Sequence, residues 1–297
     1  MVFMLLVALA TLVALVNWRW GIGAAIVLGL LQDPLRKIIP GTPAYLVLAG
    51  MPIWLGVICS AAFSRQLPIN RFLSQFPRLG LWIRTFAIYL VIPAAISATY
   101  GHNSWLITLL GIFIYSTIFG IFVAGWRYPH RSEDIARLLT LYAAVTALML
   151  MGGPLDAFKL PYLQAFVGTD MFGAIWVTHR TGEALHMLSG FFRSPDVMGW
   201  HAALLFMVAT VLALRSKGVV RWLWVAVAIW GIFNIWLCGR RKMLSMIPIF
   251  LGTYTLLVFR FKNARRIFSF VGMAAMIMGL GWYVIASVVH NEALERF

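Results

Sequence analysis

Long apolar runs dominate this chain and restrict its fold more than any other feature. A helix that crosses a bilayer needs about 20 predominantly apolar residues. The clear runs of this kind are Tyr45–Phe63, Leu81–Tyr100, Trp105–Gly125, Leu138–Met151, Val197–Leu214, Trp222–Cys238, Met243–Phe259 and Ile267–Val289. Two shorter runs, Met1–Val16 and Gly21–Leu31, precede them. They predict either a helical hairpin or one helix followed by a short re-entrant piece.

The composition excludes a soluble protein. Of 297 residues, 62% are hydrophobic and only 11% are charged, whereas soluble domains carry about 25% charged residues. A membrane barrel would instead show alternating segments of about ten residues. We therefore predict an all-α, polytopic transmembrane helical bundle that forms a single membrane domain over residues 1–297. By the length criterion it has about 9–10 spans.

Most of the cations follow one face of the predicted bundle. The net charge is +15, which in a soluble protein would suggest a nucleic-acid partner. Here the Lys and Arg residues concentrate in the connections 64–80, 126–137, 215–221 and 260–266, opposed only by Glu133 and Asp134. The positive-inside rule makes this face cytoplasmic. We expect membrane lipids as partners and no nucleic acid.

The turn at residues 239–242, Gly-Arg-Arg-Lys, breaks this rule because it falls on the predicted outer face. Its flanks are apolar, and no carboxylate is adjacent in the sequence. Unpaired charges beside hydrocarbon cost a few kcal/mol each. We expect Arg240, Arg241 and Lys242 to hold an anionic group such as a pyrophosphate, which arginine binds through its planar fork. Alternatively, the side chains snorkel to lipid headgroups.

The segment 152–196 is too long for a simple connection, and loops of this length are usually functional. We predict a periplasmic or interfacial segment, in which apolar pieces such as 171–177 form short interfacial helices. At its end, Ser194 or Asp196 can cap a helix that begins near Val197. Such a helix N-terminus offers N–H groups to an anion, with Arg193 beside it. The alternative is a capped helix without a ligand.

Together these two regions form a pattern that resembles the O-antigen ligase and polymerase family of polytopic glycosyltransferases. The first motif reads Gly-x-Phe-x-x-Pro-Asn/Asp-x-x-Gly, and the second is an outward Gly-x-Arg turn about 45 residues later. The matching residues are Gly190, Phe192, Pro195, Asp196 and Gly199, then Gly239 and Arg241. The chain departs from the family at Asp196, where Asn is usual, and at Lys242, where the family has a small residue.

The resemblance implies a multi-pass protein of the bacterial inner membrane that transfers a glycan from a polyprenyl-pyrophosphate donor to a glycan or lipid acceptor. The reaction would invert the anomeric carbon, without a metal or another cofactor. Arg241 would be the main catalytic residue, with Arg193 and Arg180 in support. Arg240, Arg241, Lys242 and Asp196 would bind the pyrophosphate.

The family also has a large periplasmic loop that carries a histidine, the natural general base. Residues 290–297 lie where that loop would begin. We therefore expect the sequence to be either a fragment, which could be inactive as it stands, or a shortened relative, in which His290 is the local candidate for the base.

Two other interpretations stay open. A transporter, or a protein that binds anionic glycolipids, could use the same cations without covalent chemistry. A metal site is the weaker alternative: His179, Glu183 and His186 have i, i+4, i+7 spacing, so a helix would place them on one face and could bind zinc or iron.

The predicted topology can be tested by thiol labelling. In a background without Cys59 and Cys238, Arg240→Cys should react with a membrane-impermeant maleimide applied to intact cells. Lys217→Cys, in a predicted cytoplasmic connection, should react only after permeabilisation. The opposite pattern would reverse the orientation.

Overall fold

The computed structural model describes residues 2–39, 48–97, 99–101, 104–158, 167, 177–180 and 183–261. Helices make up most of this part of the chain, and one short antiparallel hairpin interrupts them. The elements are α1 (Val2–Val16), α2 (Trp18–Ile38), α3 (Met51–Phe63), α4 (Ile69–Gln75), α5 (Pro77–Tyr89), α6 (Val91–Ser97), α7 (Ser104–Arg127), α8 (Ser132–Met149), α9 (Gly152–Ala157), β1 (Val177–Arg180), β2 (Glu183–His186), α10 (Pro195–Arg215), α11 (Gly218–Leu237) and α12 (Arg241–Phe261).

The prediction of an all-α transmembrane bundle is confirmed. Five helical stretches of the described chain are long and apolar enough to cross a membrane: Pro77–Ser97, Ser104–Arg127, Ser132–Ala157, Pro195–Arg215 and Gly218–Leu237. Three shorter apolar helices, Val2–Val16, Leu48–Phe63 and Lys242–Val258, accompany them. The predicted span Ile267–Val289 lies outside the described residues. The protein is therefore a multi-pass membrane protein.

The helices form two compact units. Unit 1 comprises Met1–Gly29 and Tyr45–Leu138, and unit 2 comprises Leu30–Ala44 and Leu139–Phe297. Helix α2 contributes its first part to unit 1 and its last part to unit 2. The single membrane domain expected from the sequence stays a prediction.

In unit 1, α1 packs on α3 and α3 packs on α7. The side chain of Asn17 separates α1 from α2 and accepts a hydrogen bond from the Arg19 N–H at 3.0 Å. The chain bends sharply there and brings Gly21 against Ala14. A Cβ atom at Gly21 would lie 2.6 Å from the Ala14 Cβ, so the bend requires glycine at this position. α2 is a continuous helix of 21 residues, and both interpretations of the first 31 residues stay predictions.

Helix α10 is the centre of unit 2 and packs mainly on α11. In the most apolar 18-residue stretch of α10, 56% of the residues are buried, whereas 28% are buried in the corresponding stretch of α11. Ser194 is the N-cap, as one of the two predicted alternatives had it, and its hydroxyl accepts a hydrogen bond from the Val197 N–H at 3.3 Å. Pro195, whose missing N–H costs nothing in the first turn, begins the helix.

The segment 152–196 differs from its prediction where the structure describes it. Its first residues form the short helix α9. Residues 177–186, where the metal-site interpretation requires a helix, instead contain the hairpin β1–β2, in which Arg180 pairs with Glu183 and Val177 with His186. The helical stacking proposed for His179, Glu183 and His186 is therefore wrong, because strand residues alternate with a period of two. Gly182, a poor helix former, and the β-branched Val177 and Thr178 favour this outcome. The apolar piece 171–176 lies outside the described residues.

The contact between α10 and α11 depends on a glycine. A Cβ atom at Gly231 would lie 2.9 Å from the carbonyl oxygen of Ala202, a backbone atom that cannot rotate away. We predict that Gly231→Ala lowers the free energy of unfolding by about 1–3 kcal/mol, measured by thermal unfolding of the purified protein in detergent. Gly252→Ala is the matched control, since nothing lies within 4 Å of the added atom. Equal stability of the two variants would contradict this packing.

Candidate functional site

The candidate site is built around residues 189–196, here called the leader segment, which precedes α10. A carboxylate oxygen of Asp156 accepts hydrogen bonds from the N–H groups of Ser189 at 3.1 Å and Gly190 at 3.0 Å. Gly190 has a φ angle of +53°, and a Cβ atom there would lie 2.7 Å from the backbone of Gly152 and Gly153. Only glycine fits this turn without strain.

The last part of α2 holds the leader segment through charged side chains. The Lys37 ammonium donates a hydrogen bond of 2.6 Å to the carbonyl of Gly190. The Asp33 carboxylate accepts one from the Arg193 N–H at 3.1 Å and lies 3.7 Å from the guanidinium of Arg36, whose side chain is fully buried. α2 thus contributes both signs of charge to the leader segment.

Burial decides the electrostatics of Asp33. Loss of solvent raises the pKa of its carboxyl above the ordinary value. The hydrogen bond from the Arg193 N–H opposes that rise, and so do the positive charges of Arg193, Arg36 and Lys37. The carboxylate therefore depends on its cationic neighbours for its charge.

An aromatic contact joins the leader segment to the first turns of α10. The buried ring of Phe192 stacks on the ring of His201, with centroids 5.1 Å apart and an interplanar angle of 18°. The Nδ1 atom of His201 lies 2.9 Å from the Tyr142 hydroxyl of α8. Phe192, the aromatic residue of the first motif, therefore has a packing role.

The cations of the 239–242 turn meet the N-terminus of α10. One carboxylate oxygen of Asp196 lies 2.8 Å from the Nη2 atom of Arg240, and the other lies 2.7 Å from the Nζ atom of Lys242. The sequence offered no adjacent carboxylate for these cations, but the fold supplies one from about 45 residues earlier. The fold therefore supplies a counter-ion that the neighbouring sequence does not.

Arg193 differs from these paired cations. Its side chain is half-buried, and its guanidinium forms no hydrogen bond with another residue in the part of the chain that the structure describes. It lies in the electrostatic field of Asp33 and Arg36. Among the described residues, the leader segment and the side chains attached to it carry five cations, Arg36, Lys37, Arg193, Arg240 and Lys242, and three carboxylates, Asp33, Asp156 and Asp196.

Other predicted site residues are placed only in part. Arg241 is the first residue of α12, between Arg240 and Lys242 in sequence. Arg180 ends strand β1 and pairs with Glu183 in the backbone register, and no contact among the described residues joins it to the leader segment. The candidate base His290 lies outside the described residues. The roles assigned to all of these residues stay predictions.

Sequence reasoning missed the residues that hold the leader segment. Asp33, Arg36 and Lys37 directly follow the apolar run Gly21–Leu31, and Asp156 lies near the start of the long segment 152–196. A signal was available for the first three, because closely spaced charges of both signs at the end of an apolar helix seldom occur without partners. For Asp156 only the fold reveals its role.

Chemically, the leader segment is suited to holding an anion. It combines the capped N-terminus of α10 with a surplus of cationic side chains. Comparisons with protein-family models, curated proteins and solved structures find no match for this chain. The resemblance to the O-antigen ligase and polymerase family therefore stays with the motif residues alone.

The leader segment should lose its shape when Asp156 is removed. Asp156→Ala leaves the N–H groups of Ser189 and Gly190 without their acceptor, and an unsatisfied buried donor costs about 1–3 kcal/mol. We predict a loss of about 2 kcal/mol in unfolding free energy, measured by thermal unfolding in detergent. Asp156→Asn keeps an acceptor oxygen and should recover part of the loss. Wild-type stability of Asp156→Ala would show that the two hydrogen bonds do not hold the segment.

Proposed function

We propose that this protein transfers or polymerises a polyprenyl-pyrophosphate-linked glycan at the outer face of the bacterial inner membrane. The observation that carries the proposal is the position of Arg193. Its half-buried guanidinium, without a hydrogen bond to another described residue, stands three residues before Asp196 and the cations that Asp196 holds. An arginine fixed by its backbone, with its fork available, suits a pyrophosphate.

The proposed reaction needs little from the protein beyond charge and position. A hydroxyl group of the acceptor attacks the anomeric carbon from the face opposite the pyrophosphate. The new C–O bond forms as the bond to the pyrophosphate oxygen breaks, and the electron pair leaves with the polyprenyl pyrophosphate. The hydroxyl proton passes to a base. Arg193 and Arg241 would stabilise the charge that develops on the leaving group, as preorganised cations do elsewhere.

One observation favours the second candidate, binding of an anionic glycolipid without covalent chemistry, either in a transporter or in a lipid-binding protein. All three carboxylates at the leader segment are already engaged, Asp33 and Asp156 with backbone N–H groups and Asp196 with two cations. None of them is placed as a free general base, which the transfer reaction requires.

Arginine variants test the transfer reaction. In proteoliposomes supplied with a polyprenyl-pyrophosphate-linked glycan and an acceptor, Arg193→Ala and Arg241→Ala should lower the transfer rate about 100-fold or more. The measurement follows the lengthened acceptor and the released polyprenyl pyrophosphate. Arg221→Ala, an exposed arginine of α11, is the matched control and should retain the wild-type rate. A chelator should have no effect.

The outcomes separate the two candidates. Normal transfer by both arginine variants would contradict the proposed catalytic roles. If the wild-type protein binds the donor tightly and both variants bind it weakly, yet no acceptor is lengthened, the protein is a binding protein or transporter. Thermal unfolding of each variant in detergent controls for loss of fold.

A further inference from the structure

Unit 1 contains a polar cavity at the bend between α1 and α2, separate from the leader segment of unit 2. Its volume is about 320 Å³, which is at the lower end of the range for ligand sites. Its polar lining comes from three parts of unit 1: Trp18 and Arg19, then Ser60, Ser64 and Gln66, and finally His130. Asn17, Ser64, Gln66 and His130 are exposed, so the cavity is an open cleft that a polar group can enter.

Arg19 is fixed in this cavity before any ligand arrives. Its guanidinium donates a hydrogen bond of 2.8 Å to the carbonyl of Tyr128 and lies 2.7 Å from the Nδ1 atom of His130. The guanidinium carbon is 5.3 Å from the ring centre of Trp18 and 5.6 Å from that of Tyr128. Trp18 is held in turn by a hydrogen bond from its indole N–H to Gln66. A ligand would therefore meet an ordered cation rather than a mobile one.

An apolar groove adjoins the polar cavity. The groove measures about 360 Å³ and is lined by Leu9, Leu12, Val13 and Trp20, while Val16 and Asn17 line both spaces. Trp20 is 74% exposed, as aromatic anchors at a membrane interface commonly are. A polar chamber that continues into an apolar groove matches the shape of one lipid, with its headgroup in the chamber and a chain in the groove.

The surrounding charge favours an anionic headgroup. The connection 126–137 carries two carboxylates, Glu133 and Asp134, and Asp134 accepts hydrogen bonds from the N–H groups of His130 and Arg131 at 2.9 and 3.1 Å. The adjoining connections 64–80 and 126–137 carry six arginines, at 65, 71, 78, 127, 131 and 137. These are the connections that the charge pattern makes cytoplasmic, the side on which anionic lipids attract basic residues.

We propose that this cavity and groove bind one anionic glycerophospholipid of the surrounding membrane, with its phosphate on Arg19 and His130 and an acyl chain along α1. A free phosphate would leave the apolar groove empty, and an uncharged lipid would leave the net positive charge unmatched. The assignment does not depend on glycan transfer, since it uses residues of unit 1 alone.

The test uses phosphatidylglycerol as the probe. The protein is purified in detergent, and native mass spectrometry measures its retention of added phosphatidylglycerol and of phosphatidylcholine. The wild-type protein should retain phosphatidylglycerol in preference. Arg19→Gln should weaken that retention about fivefold, the effect expected of one basic residue on an anionic lipid. Arg221→Gln on α11, which removes an equal charge from an exposed position of unit 2, outside the cavity and the connections that adjoin it, should change nothing.

A second variant keeps the test valid if Arg19→Gln loses its fold. Val16→Trp enlarges a side chain that lines both spaces and is 86% exposed, so it should fill the site, weaken retention and leave the thermal unfolding temperature unchanged. Equal retention by the Arg19, Val16 and Arg221 variants would overturn the proposal. Displacement of phosphatidylglycerol by a lower concentration of polyprenyl phosphate would overturn the choice of a glycerophospholipid.

Discussion

The need to pair charge in an apolar surrounding organises unit 2. A charged group beside hydrocarbon is costly unless a counter-ion or a hydrogen bond compensates it. Three carboxylates at the leader segment meet this requirement by binding another part of the chain. Asp156 of α9 accepts hydrogen bonds from the Gly190 turn, and Asp33 of α2 accepts one from the Arg193 N–H. Asp196, within the segment, pairs with the cations of the turn that starts α12. The geometry at the N-terminus of α10 follows from these three attachments.

Patterns with a local physical cause were predictable from the sequence. The apolar runs identified the bundle and most of its helices, because spanning length and hydropathy do not depend on partners. The helix start at the end of the segment 152–196 was also predictable from the sequence. Ser194 followed by Pro195 is a helix start that depends on the backbone alone, and the structure has the cap there.

What depended on tertiary contacts was not predictable. Nothing near Asp196 in sequence indicates that it would meet Arg240 and Lys242, since the pair exists only when α10 and α11 lie antiparallel. The histidine spacing at 179–186 failed for a different reason. A helical period was assumed for a short stretch in which Gly182 and β-branched residues favour extended backbone, so that the periodicity carried no information.

The aspartate at position 196 has a consequence for any ligand. The O-antigen ligase and polymerase family, which the motif residues resemble, usually has asparagine at this position. A neutral amide there would leave the charge of the two cations unmatched. With aspartate, an anion must compete with a carboxylate that already lies 2.8 Å from Arg240 and 2.7 Å from Lys242. Lys242 is 64% exposed, so that its pair is weakened by water. In the described chain the Asp33 carboxylate accepts a hydrogen bond from the backbone N–H of Arg193, and the Arg193 guanidinium forms no hydrogen bond with a carboxylate. An incoming anion would therefore engage Arg193 first, and Asp196 would set how readily the remaining cations follow.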